Sequence, residues 1–298
     1  MARQLCLTKA VQLYFNTMKN NLTIVAVDTA YHTLTKLAID QAVKITGATK
    51  VLVISDQDIY PGATWIKTDP IDHVDYNRIV FNNLHKYITT DHYMIVQYDG
   101  MPTDSTFWND DYLDYDYIGA IWPWLPEGQN VGNGGFSIRS RKLAEACANL
   151  EFSPASMTAD RFAEDVNICR HYRSILDQQS IKFAPSTLAN KFSAEMPGGK
   201  YDTYGFHGTL CLPYYLTDKH MSTYIDLLTV KMLDSNSQVR ILFGLCAAER
   251  YEHVEQMMDK GCELIDTFKD VILLQFDRDR QYFPNLVKTD LKDLFVNY

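Results

Sequence analysis

Two short runs, 22–28 (Leu-Thr-Ile-Val-Ala-Val-Asp) and 50–56 (Lys-Val-Leu-Val-Ile-Ser-Asp), are almost continuously apolar and turn polar at their carboxyl ends. That is the pattern of a parallel strand buried on both faces, with its tip at a ligand crevice. Between them Leu34, Leu37, Ala38, Gln41, Ala42 and Ile45 recur at helical spacing over 33–46, and Gly47 supplies a stop. The unit repeats. Residues 65–68 read as a short third strand, 75–88 as a helix that turns Ile79, Val80, Leu84, Tyr87 and Ile88 inward, and 92–100 as a fourth strand with a polar end. Such alternation predicts an α/β fold: a Rossmann-like, mostly parallel sheet flanked by helices, with ligands near Asp28, Asp56 and Asp99 at the strand tips.

From 116 onward the pattern becomes irregular, and Pro123, Pro126 and Gly128 lead into Gly132-Asn133-Gly134-Gly135. Residues 136–141 (Phe-Ser-Ile-Arg-Ser-Arg) alternate like a strand leading to a helix over 140–150 capped by Ser140. A helix over 161–178 and a short strand over 181–185 follow. Beyond 217 apolar residues recur at helical spacing in 223–233, 237–245 and 253–268, and 271–276 continues these helices or adds a strand. The expected organisation is a catalytic α/β unit over 1–216 and a mainly helical appendage over 217–298.

Composition narrows the function. A chain of 298 residues, 46% apolar, can bury a large core. Its net charge of −9 argues against a surface that depends on neutralising many nucleic-acid phosphates. Six cysteines lie far apart with no Cys-x-x-Cys pair, as expected of reduced, buried thiols. The first 14 residues lack the apolar stretch of a secretory signal, and no apolar run approaches the roughly 20 residues that span a bilayer. These features predict a cytoplasmic protein, host-cell cytoplasm if viral, that touches a membrane only peripherally.

Several positions carry chemistry. Gln97-Tyr98-Asp99 ends the fourth strand, with Asp99 as a candidate cation ligand and Gln97 as a neutral carbonyl beside it. Gly134 and Gly135 let backbone approach a ligand where a Cβ would obstruct it. Glu164 and Asp165 are adjacent on a predicted helix, so their side chains diverge by about 100° and one faces a pocket while the other caps or pairs. His207, between Phe206 and Gly208, can ligate a cation as a neutral imidazole. Arg139 and Arg141 either reach phosphate or form a solvated pair.

Taken in order, Gln97-Tyr-Asp-Gly, 115–123 (Tyr-Asp-Tyr-Ile-Gly-Ala-Ile-Trp-Pro), 131–141 (Val-Gly-Asn-Gly-Gly-Phe-Ser-Ile-Arg-Ser-Arg), Glu164-Asp165 with Cys169-Arg170, 181–185 (Ile-Lys-Phe-Ala-Pro) and Phe206-His207-Gly208 resemble a family of bacterial and viral glycosyltransferases that is itself similar to the GT-A superfamily. The resemblance covers about 21–208 and is most specific at the glycine segment. It implies a GT-A-like fold and transfer of a sugar from a nucleotide-sugar donor, with Asp165 of the Glu164-Asp165 pair as base of an inverting reaction. It also implies that Gly134 and Gly135 shape the sugar pocket and that Asp99 and His207 hold Mn2+ or Mg2+ against the diphosphate. Thr29, Asp56 and Gln97 would contact the donor. Gln97 stands where the superfamily commonly carries a first aspartate, so metal dependence rests on Asp99 and His207.

The implied partners are a nucleotide-sugar donor and a glycan or glycolipid acceptor. A hydroxymethylated base of viral DNA is an alternative acceptor, and a non-catalytic nucleotide-sugar or glycan-binding module an alternative class. A dinucleotide-dependent oxidoreductase is disfavoured, because no Gly-x-Gly-x-x-Gly follows the first strand.

Overall fold

The computed structural model describes residues 21–152, 163–195, 202–228 and 235–260. Its strands are β1 (Leu22–Val27), β2 (Lys50–Ser55), β3 (Thr64–Lys67), β4 (His92–Ile95), β5 (Gly100–Pro102), β6 (Tyr117–Ile118), β7 (Ser137–Ser140), β8 (Ser193–Ala194) and β9 (Gly205–His207). Six form a central sheet in the order β3-β2-β1-β4-β7-β6, parallel from β3 to β4 and antiparallel where β7 pairs with β4 and β6. A small second sheet has the order β5-β9-β8. The fold is therefore mixed α/β with a mostly parallel central sheet flanked by helices, as the alternation predicts.

Successive strand residues point to opposite faces, and the core divides accordingly. Ile24, Ala26 and Met94 face one apolar cluster with Phe136 and Ile138, while Val25, Val27 and Ile95 face another with Leu52 and Ile54. The first cluster is covered by α1 (His32–Thr46), which buries Leu34, Ala38, Ile39 and Ala42 and ends on Gly47 at φ +65°. The second is covered by α2 (His73–Arg78), capped by the Asp72 carboxylate on the Asp75 N–H, and by the π-helical turn Ile79–Asn83 that follows. The sheet continues into α3 (Arg141–Ala148), where Ser140 Oγ accepts from the Leu143 N–H at 3.0 Å as expected of a cap.

Three expectations change. The fourth strand stops at Ile95. Gln97 and Gly100 exchange two backbone hydrogen bonds, of 2.9 and 3.0 Å, around a turn made of Tyr98 and Asp99, and β5 then leaves for the second sheet. Residues 181–185 hold only a bridge between Phe183 and Tyr117, after which Pro185 opens α6 (Ser186–Phe192); the residues before it are α4 (Glu164–Val166), a π-helical turn (Asn167–His171) and α5 (Arg173–Gln178), so the helix expected over 161–178 is interrupted at Tyr172. Residues 161 and 162 lie outside the described residues.

The C-terminal region is helical where it is described: α7 (Leu212–Tyr215), α8 (Asp218–Leu227), α9 (Ser235–Ala247) and α10 (Tyr251–Lys260). Met221, Tyr224, Ile241 and Phe243 join the same buried cluster as Ile24 and Phe136, so these helices share the core of the α/β unit. The expectations for 229–233, for 261–268 and for 271–276 lie outside the described residues, as do those for the first 14 residues. Cys147, Cys169, Cys211 and Cys246 are buried free thiols; Cys6 and Cys262 lie outside the described residues. Among the described residues no helix is long and apolar enough to cross a membrane.

One close approach fixes the route from β6 toward the site. A Cβ at Gly119 would stand 2.1 Å from the Gly132 carbonyl oxygen and 2.4 Å from that of Asn133. Gly119→Ala should therefore destabilise the fold by about 1–3 kcal/mol, the usual cost of forcing extra volume into a packed interior. Chemical denaturation checks this, and wild-type stability in the variant would show that the two segments are free to separate.

Candidate active site

The glycine turn sits between β6 and β7. Its arms are joined by the Trp122 N–H to the Asn130 carbonyl at 2.6 Å and the Gly132 N–H to the Ala120 carbonyl at 3.1 Å. The Trp122 ring covers Gly132, where a Cβ would fall 2.2 Å from the indole. Asn133 takes the left-handed conformation at φ +58°, which asparagine tolerates better than most residues. This brings Gly134 and Gly135 between two groups of charged side chains.

On one side, Arg139 is fully buried with its Nη2 2.6 Å from Glu164 Oε1. The same guanidinium donates to Ser137 Oγ at 3.0 Å and to the Gly134 carbonyl at 3.3 Å, and it lies 5.1 Å from the Tyr117 ring centroid. A Cβ on Gly134 would be 1.8 Å from Glu164 Oε1. Arg139 is thus neither a phosphate ligand at the surface nor half of a solvated pair; Arg141 is the exposed one, held by Glu145 on its own helix.

Glu164 and Asp165 open α4 and diverge as adjacent helical residues must. Glu164 turns into the core toward Arg139, while Asp165 accepts from the Gly134 N–H at 2.9 Å and from the Val166 N–H at 2.7 Å. Burial and the neighbouring Glu164 charge raise the Asp165 pKa to about 7, against the opposing pull of the Gly134 N–H and Arg139. A carboxylate with that pKa can take or give a proton near neutrality.

On the other side lie Asp99, Gln97 and His207. Antiparallel pairing of β5 with β9 sets Gly100 opposite His207, and the Gly208 N–H donates to the Asp99 carbonyl at 2.8 Å. His207 Nε2 lies 3.2 Å from Gln97 Oε1 and 3.8 Å from Asp99 Oδ1, and Nδ1 lies 3.1 Å from Glu195 Oε2. Burial works against the imidazolium, but Glu195 and Asp99 outweigh it and push the His207 pKa up to about 9. Burial raises the Asp99 pKa, partly offset by His207, and its Oδ1 is buried without a hydrogen-bond partner. Gln97 is fixed from behind by donating to Tyr76 Oη at 2.6 Å. A Cβ on Gly135 would strike His207 Nε2 at 2.1 Å and Gln97 Oε1 at 2.4 Å.

The structure therefore gathers Gln97, Asp99, Gly134, Gly135, Glu164, Asp165 and His207 around one turn. Thr29 and Asp56 sit apart from it at the β1 and β2 tips: Thr29 Oγ1 accepts from the Ile71 N–H at 3.1 Å, and Asp56 binds His32 Nε2 at 2.7 Å. Burial of Asp56 is outweighed by the His32 bond and charge, and its pKa falls. The two groups are linked by Tyr31 and Tyr98, whose rings stack at 4.1 Å. A separate cavity of about 500 Å3 is bounded by Asp91, His92, Tyr115, Asp116, Lys142 and Lys182, and of the candidate residues it touches Arg141 alone.

Sequence reading missed Glu195 and Asn133. The Asn133 side-chain amide donates to Glu195, whose Oε2 lies 3.1 Å from His207 Nδ1, so Glu195 orients the imidazole and Asn133 holds Glu195. The signal for Asn133 was its place before a glycine, where a left-handed residue is common. For Glu195 no local pattern exists, because only β8–β9 pairing brings it to His207.

Among the described residues no group of three or more His, Cys, Asp or Glu side chains is placed to hold a metal ion. Two donors do converge: the unpartnered Asp99 Oδ1 and His207 Nε2. That pair fits a divalent cation whose remaining ligands are phosphate oxygens and water. His207 would have to shed its proton to bind one.

A family model described as "Protein of unknown function (DUF5672)" matches residues 65–207, a span that opens in β3 and closes on His207. No curated protein matches the chain. Among solved structures the chain is similar to the crystal structure of a glycosyltransferase involved in the glycosylation of the major capsid of PBCV-1, with 13% identity and a TM-score of 0.37, over 62% of this chain and 93% of that one. A likeness of that degree leaves the functional reading to the site itself.

The raised Asp165 pKa has a consequence for stability. The folded state keeps a proton that the unfolded chain releases in the ordinary carboxylate range, so this group's contribution weakens as pH climbs from that range through about 7. Asp165→Asn abolishes the titration. Its melting temperature relative to wild type should rise between about pH 5 and about pH 8. A difference that stays constant across that interval would mean that Asp165 ionises like a solvated aspartate.

Proposed function

We propose that this chain transfers a sugar from a nucleotide-sugar donor to an acceptor hydroxyl, with a glycan or glycolipid as the favoured acceptor. One observation carries the reading: Asp165, bound to the Gly134 N–H, and an unpartnered buried carboxylate beside an imidazole, Asp99 with His207, flank the same side-chain-free turn. Transfer needs a base for the acceptor hydroxyl and positive charge beside the departing diphosphate. The order of motifs, which resembles that of GT-A glycosyltransferases, supports the same reading.

In this proposal Asp165 takes the hydroxyl proton as the acceptor oxygen attacks the anomeric carbon, and the diphosphate leaves from the opposite face, an inverting displacement. Glu164 acts through Arg139 and holds the turn. Gly134 and Gly135 form the pocket floor, where a methyl group would already meet Glu164 or His207. Asp99 and His207 would hold Mn2+ or Mg2+, which when bound supplies charge neutralisation. In its protonated state His207 itself presents a positive charge beside Asp99. Thr29 and Asp56, at the neighbouring strand tips, and Gln97 contact the donor, the first two toward its nucleoside end.

Incubation with a panel of nucleotide sugars and manganese, followed by measurement of released nucleoside diphosphate, tests the proposal. At least one donor should be cleaved, and Asp165→Asn should lower turnover by about 10²-fold or more with little change in donor KM. The wild-type rate should fall as pH drops through about 7, because protonated Asp165 cannot act as base. Full turnover in Asp165→Asn would remove Asp165 from the reaction, and failure to cleave any donor would favour the binding-module alternative.

A further inference from the structure

Arg139 is an unusual tenant of a core. It lies on β7 between Ile138 and Ser140, is wholly buried, and draws Glu164 into the interior with it. A buried ion pair is often no more stabilising than apolar residues of the same shape, so stability alone gives no reason for an arginine here. Its geometry does. Nη2 holds Glu164 Oε1 at 2.6 Å and the Gly134 carbonyl at 3.3 Å; Nε holds Ser137 Oγ at 3.0 Å; and Ser137 Oγ donates to that same Gly134 carbonyl at 3.0 Å. The Glu164 N–H is in turn anchored on Asn77 Oδ1 at 2.8 Å.

We propose that Arg139 is a positioning residue for Asp165: one guanidinium ties down both Gly134, by its carbonyl, and the first turn of α4, which carries Asp165, and the N–H of that same glycine binds Asp165 Oδ2. The inference rests on Asp165 being the group that serves the reaction. The planar fork suits the task, since it fixes two separate donors, Nε on Ser137 and Nη2 on Gly134 and Glu164, at a set spacing that a lysine's single nitrogen lacks. The charged and titratable groups facing Asp165 are Glu164 on its own turn, Cys169 one turn on, Arg139 and Tyr117 from the sheet, Tyr76 from α2 and His207 from β9.

The test follows the Gly134 amide resonance and the Asp165 side-chain carboxyl carbon by NMR through a pH titration, with nucleotide-sugar cleavage measured in parallel. In wild type the two signals should titrate together, because the amide donates to the ionising oxygen. In Arg139→Lys the Gly134 amide should lose most of its pH-dependent shift, and turnover should fall about ten-fold or more while donor KM stays within about two-fold. Ser137→Ala keeps both charges and guards against a folding failure; it should give a smaller change in the same direction. A folded Arg139→Lys with wild-type coupling between Gly134 and Asp165, or an unaltered Ser137→Ala where the lysine variant does not fold, overturns the proposal. Loss of coupling in a protein whose wild type cleaves no donor would leave the positioning role standing and remove the transferase reading.

Discussion

The arrangement depends on the absence of side chains at Gly134 and Gly135. One turn of backbone passes between a buried Arg139–Glu164 pair and the Gln97–His207 contact, with no space for a methyl group on either flank. Because the backbone itself fills the gap, its N–H and carbonyl groups must be satisfied by those flanks. The Gly134 N–H is taken by Asp165 and its carbonyl by Arg139 and Ser137. The turn is thus the meeting point of elements far apart in sequence: the β4–β5 turn, β7, α4 and β9.

Burial then sorts the charges. Glu164 pairs with Arg139, whereas Asp165 accepts from the Gly134 and Val166 N–H groups, and burial together with the neighbouring Glu164 raises its pKa. Across the turn the logic is reversed: His207 lies between Glu195 and Asp99 and is driven toward its cationic form. In the proposed reaction the first flank supplies the base and the second the positive charge beside the diphosphate. The C-terminal helices are not remote from this. Buried Tyr224 of α8 feels the charges of Asp99, Tyr98 and Tyr31 and shares the core of the sheet.

The parallel half of the sheet was legible because it depends on local pattern: continuous apolar runs for β1 and β2, helical period for α1 and a serine cap for α3. The break after Ile95 was not, since the residues up to Gly100 look like one strand until β9 is known to take Gly100–Pro102 away. Motif order singles out Asp99, Gly134, Gly135, Asp165 and His207, which the fold brings around one turn, but it does not reveal their partners. Arg139 alternates along β7 as a surface residue would, and only the tertiary approach of α4 shows where its charge goes. Glu195 likewise becomes part of the site only through the pairing of β8 with β9.

We propose that the diphosphate end of a nucleotide sugar lies against Asp99 and His207, at the edge of this turn. Calorimetric titration of a panel of nucleoside diphosphates, with and without manganese, into wild type and Gly135→Ala tests it most directly, because the added methyl would stand 2.1 Å from His207 Nε2. Saturable binding of at least one nucleotide to wild type, weakened about ten-fold or more in a folded Gly135→Ala, is the predicted result. Unchanged affinity in that variant, or no binding by wild type, would contradict it.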